Sequence, residues 1–200
     1  MSLVTNFLFI TFFYLIGSIP FALILTKLLG HGDIRDIGSG NVGATNVLRT
    51  GNKYLAFTVL FLDIFKGVLP FIILSYLYDT NILHSIFLSH FAILGHIFPI
   101  WLKFKGGKGV ATYIGFLIGL NFLIALYFLL TWITIAWISR YSSLSSLTAT
   151  LVAPLYFFFV NPNYIVVIFL LYLFIIISVK HRENIKRLVS GSENKIKLSK

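Results

Sequence analysis

Between Lys108 and Arg140 not one residue carries a charge. An apolar run of that length has no place in a water-soluble domain and makes a lipid bilayer the solvent of the chain. Further apolar runs occupy residues 3 to 26, 53 to 77, 82 to 102, 143 to 160 and 163 to 179, with Lys53, Asp63 and Lys66 the charged residues in the second. A spanning helix takes about 20 predominantly apolar residues, so the 200-residue chain reads as an all-α integral membrane protein, a single polytopic domain over 1–200.

The span count depends on residues 110 to 138, too long for one short span and short for two. If the run breaks near Gly119, Leu120 and Asn121, the total is seven. Connections then alternate: the first, third, fifth and last carry the basic residues, while those near Asp79 to Asn81, Gly119 to Asn121 and Asn161 to Asn163 carry none. That alternation obeys the positive-inside rule. With six spans, Lys180, Arg182, Lys186 and Arg187 would lie across the membrane from the basic loops around Arg49 and Lys108. The expectation is therefore seven transmembrane helices, N-terminus outside and C-terminus cytoplasmic.

The residues before the first run include no Lys or Arg, unlike a secretory signal, so the first helix is read as uncleaved. Its Gly17-Ser18-Ile19-Pro20 break predicts a kink. The 16 Lys+Arg against 6 Asp+Glu are those of cytoplasmic loops and call for no nucleic acid. Cysteine is absent, which excludes disulfides and thiolate chemistry.

Inside the spans, Asp63 and Lys66 are three residues apart on one helical face and are expected to form a structural ion pair. His90 and His96, six apart, do not lie side by side on a helix, which argues against a zinc pair; His84 is expected at the interface, and no metal site is predicted.

The polar chemistry collects in three stretches on the expected cytoplasmic side. The first, residues 38 to 49, joins Gly38, Gly40 and Gly43 with Ser39, Thr45, Asn41, Asn46 and Arg49. Glycines let a backbone approach an anion and aim N–H groups at it. The G-x-G-x-x-G spacing is not a dinucleotide fingerprint here, because a membrane segment and a short charged loop precede it in place of a strand. The second is Lys103-Phe104-Lys105-Gly106-Gly107-Lys108-Gly109 before a helix start, which combines N–H groups and ammonium charge in the manner of a phosphate site. It is not Walker A, since position 102 is Leu and Lys108 is followed by Gly109. A basic loop for lipid head groups would need charge but not three glycines. The third contains His181, Arg182, Glu183, Asn184, Lys186 and Arg187, then Gly191 and Glu193. Ile185, Leu188 and Val189 share one side, as in a short interfacial helix, while His181 and Asn184 share another face.

Together these three stretches, in this order and spacing, resemble the signature motifs of the bacterial acyl-phosphate:glycerol-3-phosphate acyltransferases, the PlsY family. The resemblance extends over essentially the whole chain and implies a reaction. An acyl group passes from acyl phosphate to the 1-hydroxyl of glycerol 3-phosphate, giving lysophosphatidic acid and inorganic phosphate in the first step of phospholipid synthesis. It also implies seven spans in the bacterial inner membrane, a site facing the cytoplasm, no cofactor, membrane lipids as surroundings, and the soluble enzyme that makes acyl phosphate as a partner.

By the same resemblance, Ser39 and Arg49, with Gly38, Gly40, Asn41, Thr45 and Asn46, surround the reacting centre and the donor phosphate. Lys105, Gly106, Gly107, Lys108 and Gly109 take the phosphate of glycerol 3-phosphate; His181 and Asn184 orient substrate; Glu193 anchors the tail. Which turn holds which phosphate stays open, as does whether a side chain or a substrate phosphate is the general base. Ser39 as a covalent nucleophile needs a base, for which the motifs offer His181, with Asp33 and Asp36 as weaker candidates. Direct attack by the glycerol hydroxyl is the favoured reading. The rival functions are a transporter of phosphorylated anions and a lipid-binding scaffold. A transporter should place polar or broken helices at the midplane and serve both faces; a scaffold would tolerate loss of Ser39 and Gly107.

Overall fold

The computed structural model describes residues 1–78, 81–160 and 162–196. Asp79, Thr80 and Asn161, which the sequence places in connections without basic residues, and Lys197 and Lys200 of the tail lie outside the described residues. Among the described residues all regular structure is helical. The chain divides into two compact units, Met1–Leu120 and Asn121–Lys200.

The first unit holds α1 (Leu3–Gly17), α2 (Phe21–Leu28), the four-residue α3 (Ala44–Val47), α4 (Lys53–Leu77), α5 (Ile82–Ile97) and α6 (Val110–Leu120). α1 and α2 meet at the expected break with a 41° bend. Ser18 ends α1 by turning its hydroxyl onto the Tyr14 carbonyl at 2.7 Å, and Pro20, with no N–H to donate, begins the second half.

α1 packs on α5, and α4 on α6, through glycines at the crossings. A Cβ on Gly17 or Gly95 would collide with the facing backbone of α5 or α1, and one on Gly67 or Gly115 with that of α6 or α4. Small residues let backbones approach where hydrophobic burial cannot drive association, because lipid is as apolar as the partner helix.

The second unit holds α7 (Phe122–Ser139), α8 (Ser142–Phe159), α9 (Tyr164–Lys180) and α10 (Arg182–Val189). α7 and α9 pack against α8. α9 and α10 meet at His181 with a 67° bend.

Asparagines start four of the long helices, with Asn52 accepting the Leu55 N–H at 2.9 Å at the start of α4. Asn81 accepts from the His84 N–H at 2.9 Å, Asn121 from that of Leu123 at 2.9 Å, and Asn163 from that of Val166 at 3.2 Å. The break predicted near Gly119 to Asn121 is therefore a helix start, with Asn121 satisfying amides that have no intrahelical acceptor.

The surface is that of a lipid-facing protein, and an otherwise apolar core also takes in polar groups. Phe57, Phe61, Trp137 and Ile168 are exposed, while Asp63, Lys66, Ser89, Ser145 and Thr150 are buried. Among the described residues four helices are individually long and apolar enough to cross a membrane, and six if each bent pair counts as one. α6 has only 11 residues, about 17 Å at helical rise, against a hydrocarbon core of about 30 Å.

Candidate active site

The loop between α2 and α4 is built around a buried asparagine. Asp33 starts a helical turn at Ile34–Asp36 by accepting the Arg35 N–H at 3.0 Å, and it binds the Arg35 guanidinium at 2.9 and 2.6 Å. That guanidinium holds the Asp33 carboxyl well below the usual carboxylate range. Ile34 is fully buried in a cluster with Val42 and Val47.

Asn46, on α3, turns its amide inward. Its Nδ2 donates to the carbonyls of Ile34 at 3.0 Å and Ile37 at 2.9 Å; its Oδ1 accepts the Ser39 N–H at 3.0 Å and approaches the Ser39 hydroxyl at 3.3 Å. These four contacts use the whole capacity of a primary amide, so in this structure Asn46 shapes the turn that presents Ser39.

Ser39 itself is exposed, between Gly38 (φ 59°) and Gly40 (φ 68°), both in the left-handed region that glycine adopts without strain. A Cβ on Gly38 would collide with the Arg49 side chain and the Asn46 amide oxygen. The Arg49 side chain therefore lies against the same turn as Ser39. Thr45 is exposed and Asn41 half-buried.

The lysine-glycine turn folds back onto the end of α5. After a helical turn at Ile100–Leu102, Lys103 and Phe104 take left-handed backbone (φ 51° and 62°). The Gly106 N–H donates to the Ile97 carbonyl at 3.2 Å and that of Gly107 to the His96 carbonyl at 3.1 Å. Gly109 (φ 86°) then leads into α6, where its carbonyl accepts the Tyr113 N–H at 2.8 Å. Lys105 is exposed, Lys108 half-buried and Gly107 buried.

Beneath both turns lies the ion pair expected from the sequence. Lys66 Nζ is 2.7 Å from Asp63 Oδ1, with both side chains buried. One small cavity is lined by Ile19, Val42, Asp63, Lys66, His96 and Gly107. Val42 belongs to the first motif and Gly107 to the second, so the two turns are neighbours over this cavity. The sequence pairs His96 only with His90; in the fold its neighbour across helices is Asp63, with Oδ1 at 3.6 Å from Nδ1.

In the second unit His181 and Asn184 are buried. His181 Nδ1 lies 2.8 Å from the Ile177 carbonyl; a carbonyl only accepts, so the proton sits on Nδ1 and, in the neutral ring, Nε2 is the basic nitrogen. Asn184 Nδ2 donates to Glu193 Oε1 at 2.7 Å, as does the Ser143 hydroxyl at 2.7 Å, while Arg187 Nε donates to Oε2 at 2.7 Å. Burial opposes ionisation of Glu193, and the hydrogen bonds from Asn184, Ser143 and Arg187 outweigh it, holding the carboxyl below its ordinary value. Ser143 and Arg187 carry no motif signature for this task; an unpaired acid in a basic tail is the one sequence signal that asks for such partners.

The model of the glycerol-3-phosphate acyltransferase family matches residues 7–191. The chain is 52% identical over 185 residues to a glycerol-3-phosphate acyltransferase of Pelagibacter ubique, covering 92% of this chain and 94% of that one. It is 50% identical over 195 residues to one from Bartonella henselae, covering 96% and 92%. Among solved structures it resembles PlsY (YgiH), an integral membrane glycerol 3-phosphate acyltransferase, in its glycerol 3-phosphate form. That match has a TM-score of 0.89 and 38% identity over 96% of both chains. The lysophosphatidic acid form of PlsY gives a TM-score of 0.86 and 36% identity over 96% of both chains.

Proposed function

This chain belongs to the glycerol-3-phosphate acyltransferase family, and from that membership we propose that it moves an acyl group from acyl phosphate to the 1-hydroxyl of glycerol 3-phosphate, releasing lysophosphatidic acid and inorganic phosphate. The observation that carries the reading is the adjacency of the serine-glycine and lysine-glycine turns over one cavity within the first unit. The Ser39, Gly40, Gly106 and Gly107 N–H groups already donate within the protein and so, against the expectation from the glycines, do not face an anion; it is the cations Arg49, Lys105 and Lys108 flanking the two turns that suit two substrates each bringing a phosphate.

An acyl phosphate is a mixed anhydride with a good leaving group, so the protein's work is electrostatic. The glycerol hydroxyl attacks the acyl carbonyl, a C–O bond forms, and negative charge develops on the carbonyl oxygen. The bond from carbon to the phosphate oxygen then breaks, and the hydroxyl proton passes to a substrate phosphate oxygen. Fixed donors aimed at the oxyanion lower this barrier, and loss of one typically costs ~100- to 1000-fold in rate.

Ser39 and Arg49, with Gly38, Gly40, Asn41 and Thr45, are assigned to the acyl phosphate. Lys105, Gly106, Gly107, Lys108 and Gly109 are assigned to glycerol 3-phosphate. Asn46 supports the first turn from within. His181 and Asn184 are retained as site residues on the motif resemblance alone.

The chain is a multi-pass membrane protein, and we read it as seven spans with α6 as the short one, N-terminus outside and both turns in the cytoplasm. The distribution of basic residues supports this: Arg35, Arg49, Lys103, Lys105, Lys108 and Arg140 fall in one alternate set of connections, and residues 119 to 121 carry none. A bacterial inner membrane and a soluble supplier of acyl phosphate belong to the same proposal.

The test is purified full-length protein in detergent micelles, given palmitoyl phosphate and glycerol 3-phosphate. Phosphate release together with lysophosphatidic acid is expected. Phosphate release without the lipid product, or neither, would overturn the assignment.

A further inference from the structure

We propose that His96 is a positioning residue for the lysine-glycine turn, held in place by Asp63 and Lys66, and that this buried trio sets the affinity of the turn for the phosphate of glycerol 3-phosphate. The proposal deepens the acyltransferase reading and rests on it.

The starting point is a cost. Asp63 and Lys66 are 2% exposed within a long apolar helix. Burying an ion pair is a poor way to gain stability, since an apolar pair of similar volume often does as well or better. Ionisable groups at membrane depth therefore ask for a role beyond neutralising one another.

This pair joins three parts of the first unit. Lys66 Nζ donates to the Ile19 carbonyl at 3.0 Å, at the break between α1 and α2. Asp63 Oδ1 lies 3.6 Å from His96 Nδ1, which brings the carboxylate of α4 beside the imidazole of α5. His96 then meets the turn twice. Its carbonyl accepts the Gly107 N–H at 3.1 Å, and its ring lies so close to the Gly107 Cα that a Cβ there would strike Nε2, Cε1 and Cδ2.

Gly107 is not among the residues with left-handed backbone. Its glycine is thus required by the imidazole and not by the chain conformation. The ring forms the floor on which the turn rests, with the Asp63 carboxylate beside its Nδ1 and Lys66 paired to that carboxylate. Because Val42 lines the same cavity as His96 and Gly107, the trio also adjoins the serine-glycine turn.

A positioning role leaves a kinetic signature that a general folding defect does not. His96→Ala removes the floor but none of the groups assigned to the reacting atoms. It should raise KM for glycerol 3-phosphate ~10-fold or more while kcat stays within ~3-fold. A folding defect would lower active protein, and so apparent kcat, with KM unchanged. His96→Gln, which keeps a polar group near the same point, should recover most of the affinity.

Steric complementarity gives a second, independent measurement. Gly107→Ala should lower kcat/KM by ~100-fold because its methyl meets the His96 ring. The double variant His96→Ala/Gly107→Ala should be at least ~10-fold better than Gly107→Ala.

The assays use full-length protein in detergent, with monodisperse elution and thermal melting as folding controls. If His96→Ala does not purify, His96→Asn takes its place in both experiments. Unchanged KM in a folded His96 variant overturns the proposal, as does a double variant no better than Gly107→Ala. An inactive wild-type protein would instead sink the acyltransferase reading, so the two failures are distinct.

Discussion

Asn46 and Ser39 are joined twice: the Asn46 amide oxygen accepts the Ser39 N–H at 3.0 Å and lies 3.3 Å from its hydroxyl. Because the Asn46 amide nitrogen donates to Ile34 and Ile37, one side chain ties the exposed serine to the buried start of its loop. Asn46→Asp keeps the acceptor and loses both donors, leaving two carbonyls short of a partner at about 1–3 kcal/mol each. The expected result is a lower melting temperature and a loss of phosphate release exceeding 10-fold, read by scanning fluorimetry and a phosphate assay on the same preparation.

Ser39→Ala separates chemistry from stability. The residue is exposed, so melting should be unchanged while turnover is abolished. No acyl group should remain on wild-type protein denatured during turnover with radiolabelled acyl phosphate. Label retained on the polypeptide would show a covalent acyl-enzyme and displace direct attack by the glycerol hydroxyl.

The buried pair gives a prediction about stability. Asp63→Ala leaves the Lys66 ammonium, 2% exposed, without its countercharge, an effect of about 3–5 kcal/mol. Asp63→Leu/Lys66→Met should melt much closer to wild type. If His96 depends on Asp63 for its placement, this stable double variant should still show a raised KM for glycerol 3-phosphate. Thermal melting and steady-state kinetics on both proteins decide it.

Acid should release the tail. Glu193 has its carboxyl lowered from an ordinary value of 4.5: burial raises it, and hydrogen bonds from Asn184, Ser143 and Arg187 more than offset this. A depressed folded-state pKa means that the carboxylate's contribution is fully present above the ordinary value and is lost as pH falls below it towards the folded value. Hydrogen exchange of residues 187 to 196 should therefore rise on going from neutral pH to below 4.5, after correction for the intrinsic rate. Glu193→Gln should remove most of that dependence and exchange faster already at neutral pH.

Much of the helical frame is legible in local pattern. α4 begins and ends where the apolar run does, the Gly17 to Pro20 break bends the first span, and the uncharged run after Gly109 divides at Asn121. The Asp63–Lys66 pair is visible because a three-residue spacing puts both groups on one face. The relations that organise the candidate site are less visible, since they join residues on different helices. Nothing near His96 in the chain points to Asp63, and nothing in Gly107 says that its missing side chain makes room for an imidazole. Asn46 resembles a ligand because an amide beside glycines suits an anion; its inward orientation follows from the burial of Ile34, a tertiary event.

The spacing of Asp63 and Lys66 also bears on how the protein enters its membrane. The two opposite charges stand one turn apart on the same helix, so they neutralise each other as soon as α4 forms, before any neighbouring segment is in place. A segment of this kind presents the bilayer with a close pair of opposite charges in place of two separate ions.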